Sequence, residues 1–271
     1  MRPALMIPKL RRIELLLPVL VILLLVDTGC NTRPYVTQER WNRGLVVILP
    51  GIEGPSVHNA NIRRGLYDGG LPYALEIYNW HGGKFGPYYA FDEPEARIRA
   101  GELAAHIRRY RREYPQRPVF VVGHSGGGAI TVFTAEEFAA DVPLDGVMML
   151  APALSPYYDL TRAVAGAGGH IVNCCAPNDY FLKSLTSAGR NFDGEKGDTA
   201  GQEGFKLPED ASVETREAFT RLVQIHWSRD MRQESNRGGH NGWTNPSWIA
   251  ATIVPIIDDW AGMPISRGTE D

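Results

Sequence analysis

Val119-Phe120-Val121-Val122-Gly123-His124-Ser125-Gly126-Gly127-Gly128, followed by the apolar stretch from Ala129 to about Ala140, decides how the rest of the chain is read. An unbroken run of β-branched and aromatic residues reads as a strand covered on both faces. The stretch after the glycines reads as a helix, so a buried strand turns sharply into a helix with a serine at the turn. Glycines two residues either side of Ser125 remove the side chains that would collide in such a turn. The following helix directs its dipole and free N–H groups at the serine, which favours negative charge there. A glycine-rich turn can also cradle phosphate, but no Lys-Ser/Thr follows these glycines and no Gly-x-Gly-x-x-Gly is present. A purely structural glycine turn is the bland alternative.

Working outward, strands and helices alternate, the pattern of a mostly parallel sheet with crossover helices. Leu45 to Leu49 is a continuous apolar run ending at Pro50-Gly51, and Tyr73 to Trp80 supplies a second candidate strand. From Glu93 to Tyr114 apolar residues recur at three- and four-residue steps (Ala96, Ala100, Leu103, Ile107, Tyr110, Tyr114), which predicts a helix ended by Pro115. His106 falls beside that stripe and reads as a surface residue. Gly146 to Ala151 and His170 to Ala176 supply two more strands, with a helix between them near Tyr158 to Ala165. Arg221 to Trp227 reads as a final strand, although a helical stripe also fits it. Asn191 to Gly204 is rich in Gly and Asp and reads as a loop outside the core. Pro246 to Trp260 closes the chain as a helix bent or shortened by Pro255.

A serine hydroxyl is a weak nucleophile, so a base must take its proton and a carboxylate must orient that base. After a serine in this kind of turn the acid and then the histidine follow along the chain. His58, His81 and His106 precede Ser125, and His124 adjoins it and points away by strand alternation. His170 begins a strand, and His226 lies within a regular element. His240, in Arg237-Gly238-Gly239-His240-Asn241-Gly242, sits late and in a flexible loop, which makes it the candidate base; a solvated loop histidine is the alternative. For the acid, Asp179 follows a strand's carboxyl end, where ligands gather in open parallel sheets. Asp145 precedes its strand, Asp159 is a competitor, and Asp179 could instead cap the helix beside it. Two N–H donors are needed for the oxyanion. Gly126 is one, and the loop Pro50-Gly51-Ile52-Glu53-Gly54 supplies the other, by position Ile52 with Glu53 as runner-up.

With Pro-Gly-Ile-Glu-Gly, Gly-His-Ser-Gly-Gly, Pro-Asn-Asp and Gly-Gly-His in that order, the chain resembles the α/β-hydrolase superfamily of lipases and esterases from about Leu45 to Trp260. The resemblance implies a mostly parallel sheet with helices on both faces, a Ser125-Asp179-His240 triad, and hydrolysis without metal or organic cofactor. Two features depart from it. The oxyanion loop has Pro50-Gly51 in place of the His-Gly pair common in lipases. The interval from Asp179 to His240 is long because of Asn191 to Leu207, either a lid over the pocket or a loop packed elsewhere.

The first thirty residues belong to a different regime. Arg2, Lys9, Arg11 and Arg12 precede the apolar run Leu15 to Val26, then Asp27-Thr28-Gly29-Cys30, which reads as a bacterial secretion signal. As a helix that run spans about 18 Å, against about 30 Å for a bilayer core. Gly29-Cys30 resembles the lipobox, whose cysteine is lipidated, although Asp27 stands where that motif has an aliphatic residue. An uncleaved anchor and a cleaved soluble signal are the alternatives. The expected organisation is a signal over 1–30, a polar tether over 31–42, one domain over 43–262 and a tail over 263–271, placing the protein in the cell envelope, anchored through Cys30.

The whole chain has 271 residues, 44% hydrophobic and 22% charged with a net charge of −3, which suits one folded domain and gives no basic footprint for nucleic acid. No Cys-x-x-Cys pairs or other metal-ligand spacing occurs. The adjacent Cys174 and Cys175 read as buried free thiols, because a disulfide between neighbours strains the peptide joining them. Tyr88, Tyr89, Phe91, Tyr157, Tyr158 and Trp243 are candidates to line an apolar pocket or to be core. The expected function is hydrolysis of small-molecule or lipid esters through an acyl-enzyme on Ser125. A peptidase or amidase, or a non-catalytic envelope binding protein keeping the fold, are the alternatives.

Overall fold

The alternation of apolar runs becomes a six-stranded sheet in the computed structural model, which describes residues 34–82, 92–138, 142–188 and 190–262. The strands are β1 (Leu45–Leu49), β2 (Ala74–Ile77), β3 (Val119–His124), β4 (Gly146–Leu150), β5 (Ile171–Cys175) and β6 (Leu222–His226). They lie in the order β2-β1-β3-β4-β5-β6, and every neighbouring pair is parallel. β1, β3, β4 and β5 are buried along their whole length, which is why they carry unbroken apolar runs. Edge strand β6 is half-covered and its Val223 is exposed. That weaker pattern is what left its reading open between strand and helix.

In chain order the helices are α1 (Gln38–Trp41), α2 (Val57–Asp68), α3 (Glu93–Glu113), α4 (Gly126–Glu136), α5 (Thr161–Gly166), α6 (Tyr180–Ala188), α7 (Ala200–Glu203), α8 (Val213–Arg221), α9 (Gly239–Gly242) and a closing run from Pro246 to Trp260. Parallel crossovers are right-handed, so α2, which steps from β1 out to β2, covers one face. Helices α3, α4, α5 and α8, which step the other way, cover the opposite face. The closing run packs on α2, completing the first layer. It contains a π-helical turn, Ile249–Ile253, immediately before Val254 and Pro255; Pro255 has no N–H to continue the ordinary helical ladder. Helix α3 buries Ala96, Ala100, Leu103, Ile107 and Tyr110 of the stripe read from its spacing and Ala104 beside them, while Tyr114 caps its end half-buried.

Two expectations change on contact with the structure. The tether does not reach Asn42, because the folded unit begins at Tyr35. The Tyr35 carbonyl accepts from the Leu75 N–H at 2.9 Å. Trp41 packs on Tyr110, whose hydroxyl donates to the Trp41 carbonyl at 2.8 Å. Two aromatic rings within the stretch supply enough apolar surface to hold it on the domain. Second, 191–204 is not outside the core, since Phe192, Thr199, Ala200, Gly201 and Gln202 are buried. Of the aromatics left open between pocket and core, Trp243 is fully buried against Trp248 and belongs to the core, while Tyr157 is exposed and Tyr158 bonds Glu136. The signal segment with Cys30, the aromatics Tyr88, Tyr89 and Phe91, and the tail 263–271 lie outside the described residues. Among those described, no helix is long and apolar enough to cross a membrane.

The glycines of the elbow are fixed by contact. A Cβ on Gly123 would stand 2.1 Å from the Gly127 carbonyl oxygen, and one on Gly127 would stand 2.5 Å from the carbonyl oxygens of Leu49 and Pro50. Both neighbours are backbone, so neither can yield by a rotamer change. Gly123→Ala or Gly127→Ala is therefore expected to cost about 3 kcal/mol, the upper part of the range for forced overpacking. Urea unfolding checks this; a change within about 0.5 kcal/mol, typical of an unconstrained site, contradicts it.

Candidate active site

All the candidate residues sit at one edge of the sheet. Loops leaving the carboxyl ends of β1, β3 and β5 carry Ile52, Ser125 and Asp179, and His240, expected in a loop, sits on the short helix α9 in the segment that follows β6. The chain order reverses between β1 and β3, so Ser125 and the Ile52 loop flank the crevice that such a switch creates.

Ser125 has φ 58° and ψ −121°, a backbone conformation that costs roughly 1–3 kcal/mol in a residue with a side chain. Three hydrogen bonds pin it there. Its N–H donates to the Leu150 carbonyl at 2.9 Å, and its carbonyl accepts from Gly128 at 2.9 Å and Ala153 at 3.2 Å. The side chain is 1% exposed, and its Oγ has no hydrogen-bond partner among the described residues. A buried hydroxyl left unpaired is uncommon enough to call for an explanation.

Asp179 is completely buried and uses its two oxygens differently. Oδ1 accepts from the Leu182 N–H at 2.9 Å and so caps the first turn of α6; Oδ2 lies 2.7 Å from His240 Nδ1. The capping reading is realised, and the second oxygen is left facing the candidate base. A carboxylate can only accept, so the proton sits on Nδ1 and Nε2 of His240 presents a lone pair. That tautomer can take a proton. Asp159, the competitor, accepts from the Thr161 backbone and hydroxyl on the surface. Asp145 bonds Val119 N–H and Arg111 at the opposite edge of the sheet.

The His240 loop is held by groups that motif reading did not reach. Asn178 Oδ1 accepts from the Gly239 N–H at 2.9 Å, and buried Asn236 Oδ1 accepts from the Gly238 N–H at 2.9 Å. Gly238 and Gly239 both have positive φ, which lets the chain turn the imidazole back toward Asp179. Phe181 stacks on that imidazole with 4.6 Å between ring centroids. His124 does not point away from the site as strand alternation suggested. Its ring lies 4.6 Å from the His240 ring, and its Nε2 is 3.0 Å from the His240 carbonyl oxygen. A carbonyl only accepts, so His124 Nε2 carries the donated proton. Burial, reinforced by the nearby histidines, holds its pKa well below the usual value, and it stays neutral. Three of the remaining histidines have partners away from the site. His106 pairs with Glu76, His170 with the Asp145 carbonyl, and His226 with Cys175 Sγ.

The two candidate donor segments meet. Ile52 Cγ2 stands 3.1 Å from the point where a Cβ on Gly126 would lie, and Ser125 Cβ stands 3.1 Å from the corresponding point on Gly51. Gly126 opens helix α4, so its N–H belongs to the first turn, which has no intrahelical acceptor. The Ile52 loop is anchored by Trp80, whose indole N–H donates to the Pro50 carbonyl at 2.8 Å. Glu53, the runner-up, is exposed and accepts from the Ser56 hydroxyl. Among the described residues no three His, Cys, Asp or Glu side chains converge as metal ligands would. Cys174 and Cys175 are buried and unbonded to each other; burial pushes the Cys175 thiol up to about 12.

Residues 42–204, more than half of the chain, match the family described as serine aminopeptidase, S33. The chain belongs to this family of α/β-hydrolases. Within this S33 member the matched stretch carries Ile52, Ser125, Gly126 and Asp179, while His240 lies beyond it and is positioned by the fold. A stretch of 77 residues is 27% identical to monoglyceride lipase of Rattus norvegicus, covering 28% of this chain and 25% of that protein. The alignment thus spans about a quarter of that relative's length. The crystal structure of TT1662 from Thermus thermophilus shares the fold, with a TM-score of 0.52 at 16% identity over 84% of this chain and 92% of that one.

Two outcomes follow from these contacts. His124→Leu orphans the His240 carbonyl in a buried setting and is expected to lower stability by about 1–3 kcal/mol; equal urea midpoints for the two proteins would contradict it. Thiolate is the reactive form of cysteine, so iodoacetamide at pH 8 is expected to leave Cys174 and Cys175 unmodified in the folded protein and to alkylate both in denaturant, read by peptide mass. Rapid alkylation in the fold contradicts the burial assigned to them.

Proposed function

We propose that the protein is a serine hydrolase of carboxylic esters that works through an acyl-enzyme on Ser125. The observation that carries this reading is the buried 2.7 Å contact of Asp179 with His240 Nδ1, at the sheet edge where Ser125 is held strained with a free hydroxyl. His240 Nε2 takes the Ser125 proton as Oγ bonds to the ester carbonyl carbon. The carbonyl oxygen becomes negative and is met by the amides of Gly126 and Ile52. Collapse breaks the bond to the alcohol, which leaves with the proton from His240. Water then repeats the sequence, releasing the carboxylic acid and restoring Ser125. Asp179 keeps the imidazole in the required tautomer and stabilises the imidazolium that forms transiently.

The family's description as serine aminopeptidase supports a second reading, hydrolysis of peptide amides by the same groups. A panel of p-nitrophenyl esters and aminoacyl p-nitroanilides, given to the full-length chain, separates them. Ester turnover is expected, with a fluorophosphonate probe labelling Ser125. Ser125→Ala is expected to lose both, and Asp179→Asn to lower kcat on the order of 10⁴-fold by losing the carboxylate that sets the tautomer. Turnover restricted to the anilides selects the peptidase reading. Equal ester turnover by wild type and Ser125→Ala removes the mechanism altogether.

Export and lipid anchorage through Cys30, which would place a lipid or small-molecule ester substrate at the envelope, are part of the same proposal. Their support is the basic and apolar segment before Gly29-Cys30. Metabolic labelling with a fatty acid is expected to mark the wild type and not Cys30→Ala. Equal labelling of the two contradicts the anchor.

A further inference from the structure

The segment between the candidate acid and base places a phenyl ring against the glycine next to Ser125. Phe192 Cζ lies 2.7 Å, and its Cε2 3.1 Å, from the point where a Cβ on Gly126 would stand. Ile52 Cγ2 reaches the same point to 3.1 Å. Trp80 meets Phe192 edge-on, 6.1 Å between centroids at 75°. Phe192 and Trp80 are each 1% exposed, and both belong to the packed core. Two apolar side chains, Phe192 and Ile52, therefore fill the volume that the glycine leaves open, and Trp80 backs the phenyl ring. In an acyl-enzyme the carbonyl oxygen points to the Gly126 amide, so the acyl chain must leave the carbonyl carbon close to this filled volume.

Phe192 is not carried on a free flap. Its N–H donates to the Ala153 carbonyl at 3.0 Å, Asp193 Oδ2 accepts from the Ser155 N–H at 3.1 Å, and the amides of Ala200 and Gly201 donate to Leu154 and Pro152 at 2.8 and 3.0 Å. The loop it is sewn to is the one whose Ala153 N–H bonds the Ser125 carbonyl. Swinging the segment outward would break these bonds and loosen the turn that carries the nucleophile. The choice left by the sequence, between a lid and a packed loop, resolves as a packed wall.

Resting on the ester-hydrolase reading above, we propose that Phe192 limits the acyl pocket, so that the substrates are esters of short acyl groups and long acyl chains are excluded. A buried ring on an anchored segment acts as a fixed end to the pocket.

The test is a chain-length series of p-nitrophenyl acetate, butyrate, octanoate and palmitate with the full-length wild type, Phe192→Ala and Phe192→Leu, each also titrated with a fluorophosphonate. Wild-type kcat/KM for butyrate is expected to exceed that for octanoate by about tenfold or more, and Phe192→Ala to shift that ratio by about tenfold toward octanoate, with Phe192→Leu between. A wild type that turns over octanoate or palmitate as fast as butyrate overturns the inference. So does an unchanged ratio in either labelled variant. If Phe192→Ala fails to fold, the wild-type series and Phe192→Leu decide. Labelled Ser125 with a flat chain-length profile removes this inference alone, whereas absent labelling and absent ester turnover remove the underlying reading with it.

Discussion

The close approach of Gly123 to Gly127, and of Gly127 to the end of β1, is the constraint on which the rest of the site depends. Only without side chains can the strand, the turn and the first turn of α4 come so near one another. That proximity forces Ser125 into a positive φ, and the strain persists because Leu150, Gly128 and Ala153 hold its backbone on both sides. Strain of this kind survives only where surrounding structure over-determines it. Here the surrounding structure is the most deeply buried part of the sheet, which cannot relax without opening the core.

From that fixed turn the other groups follow by topology. A parallel sheet delivers every strand end to one edge, so residues far apart in the chain share a small region. Asp179 holds two partners with one side chain. Its helix-capping oxygen fixes where the carboxylate stands, and its other oxygen fixes the imidazole. His124 ties the two halves together, since the residue before Ser125 holds the backbone of the candidate base. A shift in either loop is thereby felt by both.

Much of this was legible in the sequence, for identifiable reasons. Strands buried on both faces must be continuously apolar, so β1, β3, β4 and β5 announced themselves, and the glycine pattern around Ser125 has few other physical uses in that setting. Order along the chain and position after a strand picked out Asp179 and His240. What escaped notice depends on contacts between distant segments. Strand alternation alone turned His124 away, whereas the loop carrying His240 folds back over it. Asn178 and Asn236 look like ordinary loop residues until the amides they satisfy are seen. The stretch 191–204 reads as polar, yet Phe192 and a small-residue turn at Ala200-Gly201 are drawn into the core by backbone bonds to the loop after β4. Composition averages over such a segment, while packing selects single residues from it.

The central claim is that the hydroxyl of Ser125, the imidazole of His240 and the amides of Gly126 and Ile52 act on one carbonyl group. A crystal structure of the phosphonate-inhibited protein measures this directly. The account predicts phosphorus bonded to Ser125 Oγ, a phosphoryl oxygen about 3 Å from both amides, and His240 Nε2 on the leaving-group side within hydrogen-bond reach. Phosphorus on another side chain, or a phosphoryl oxygen turned away from the Gly126 amide, would contradict it.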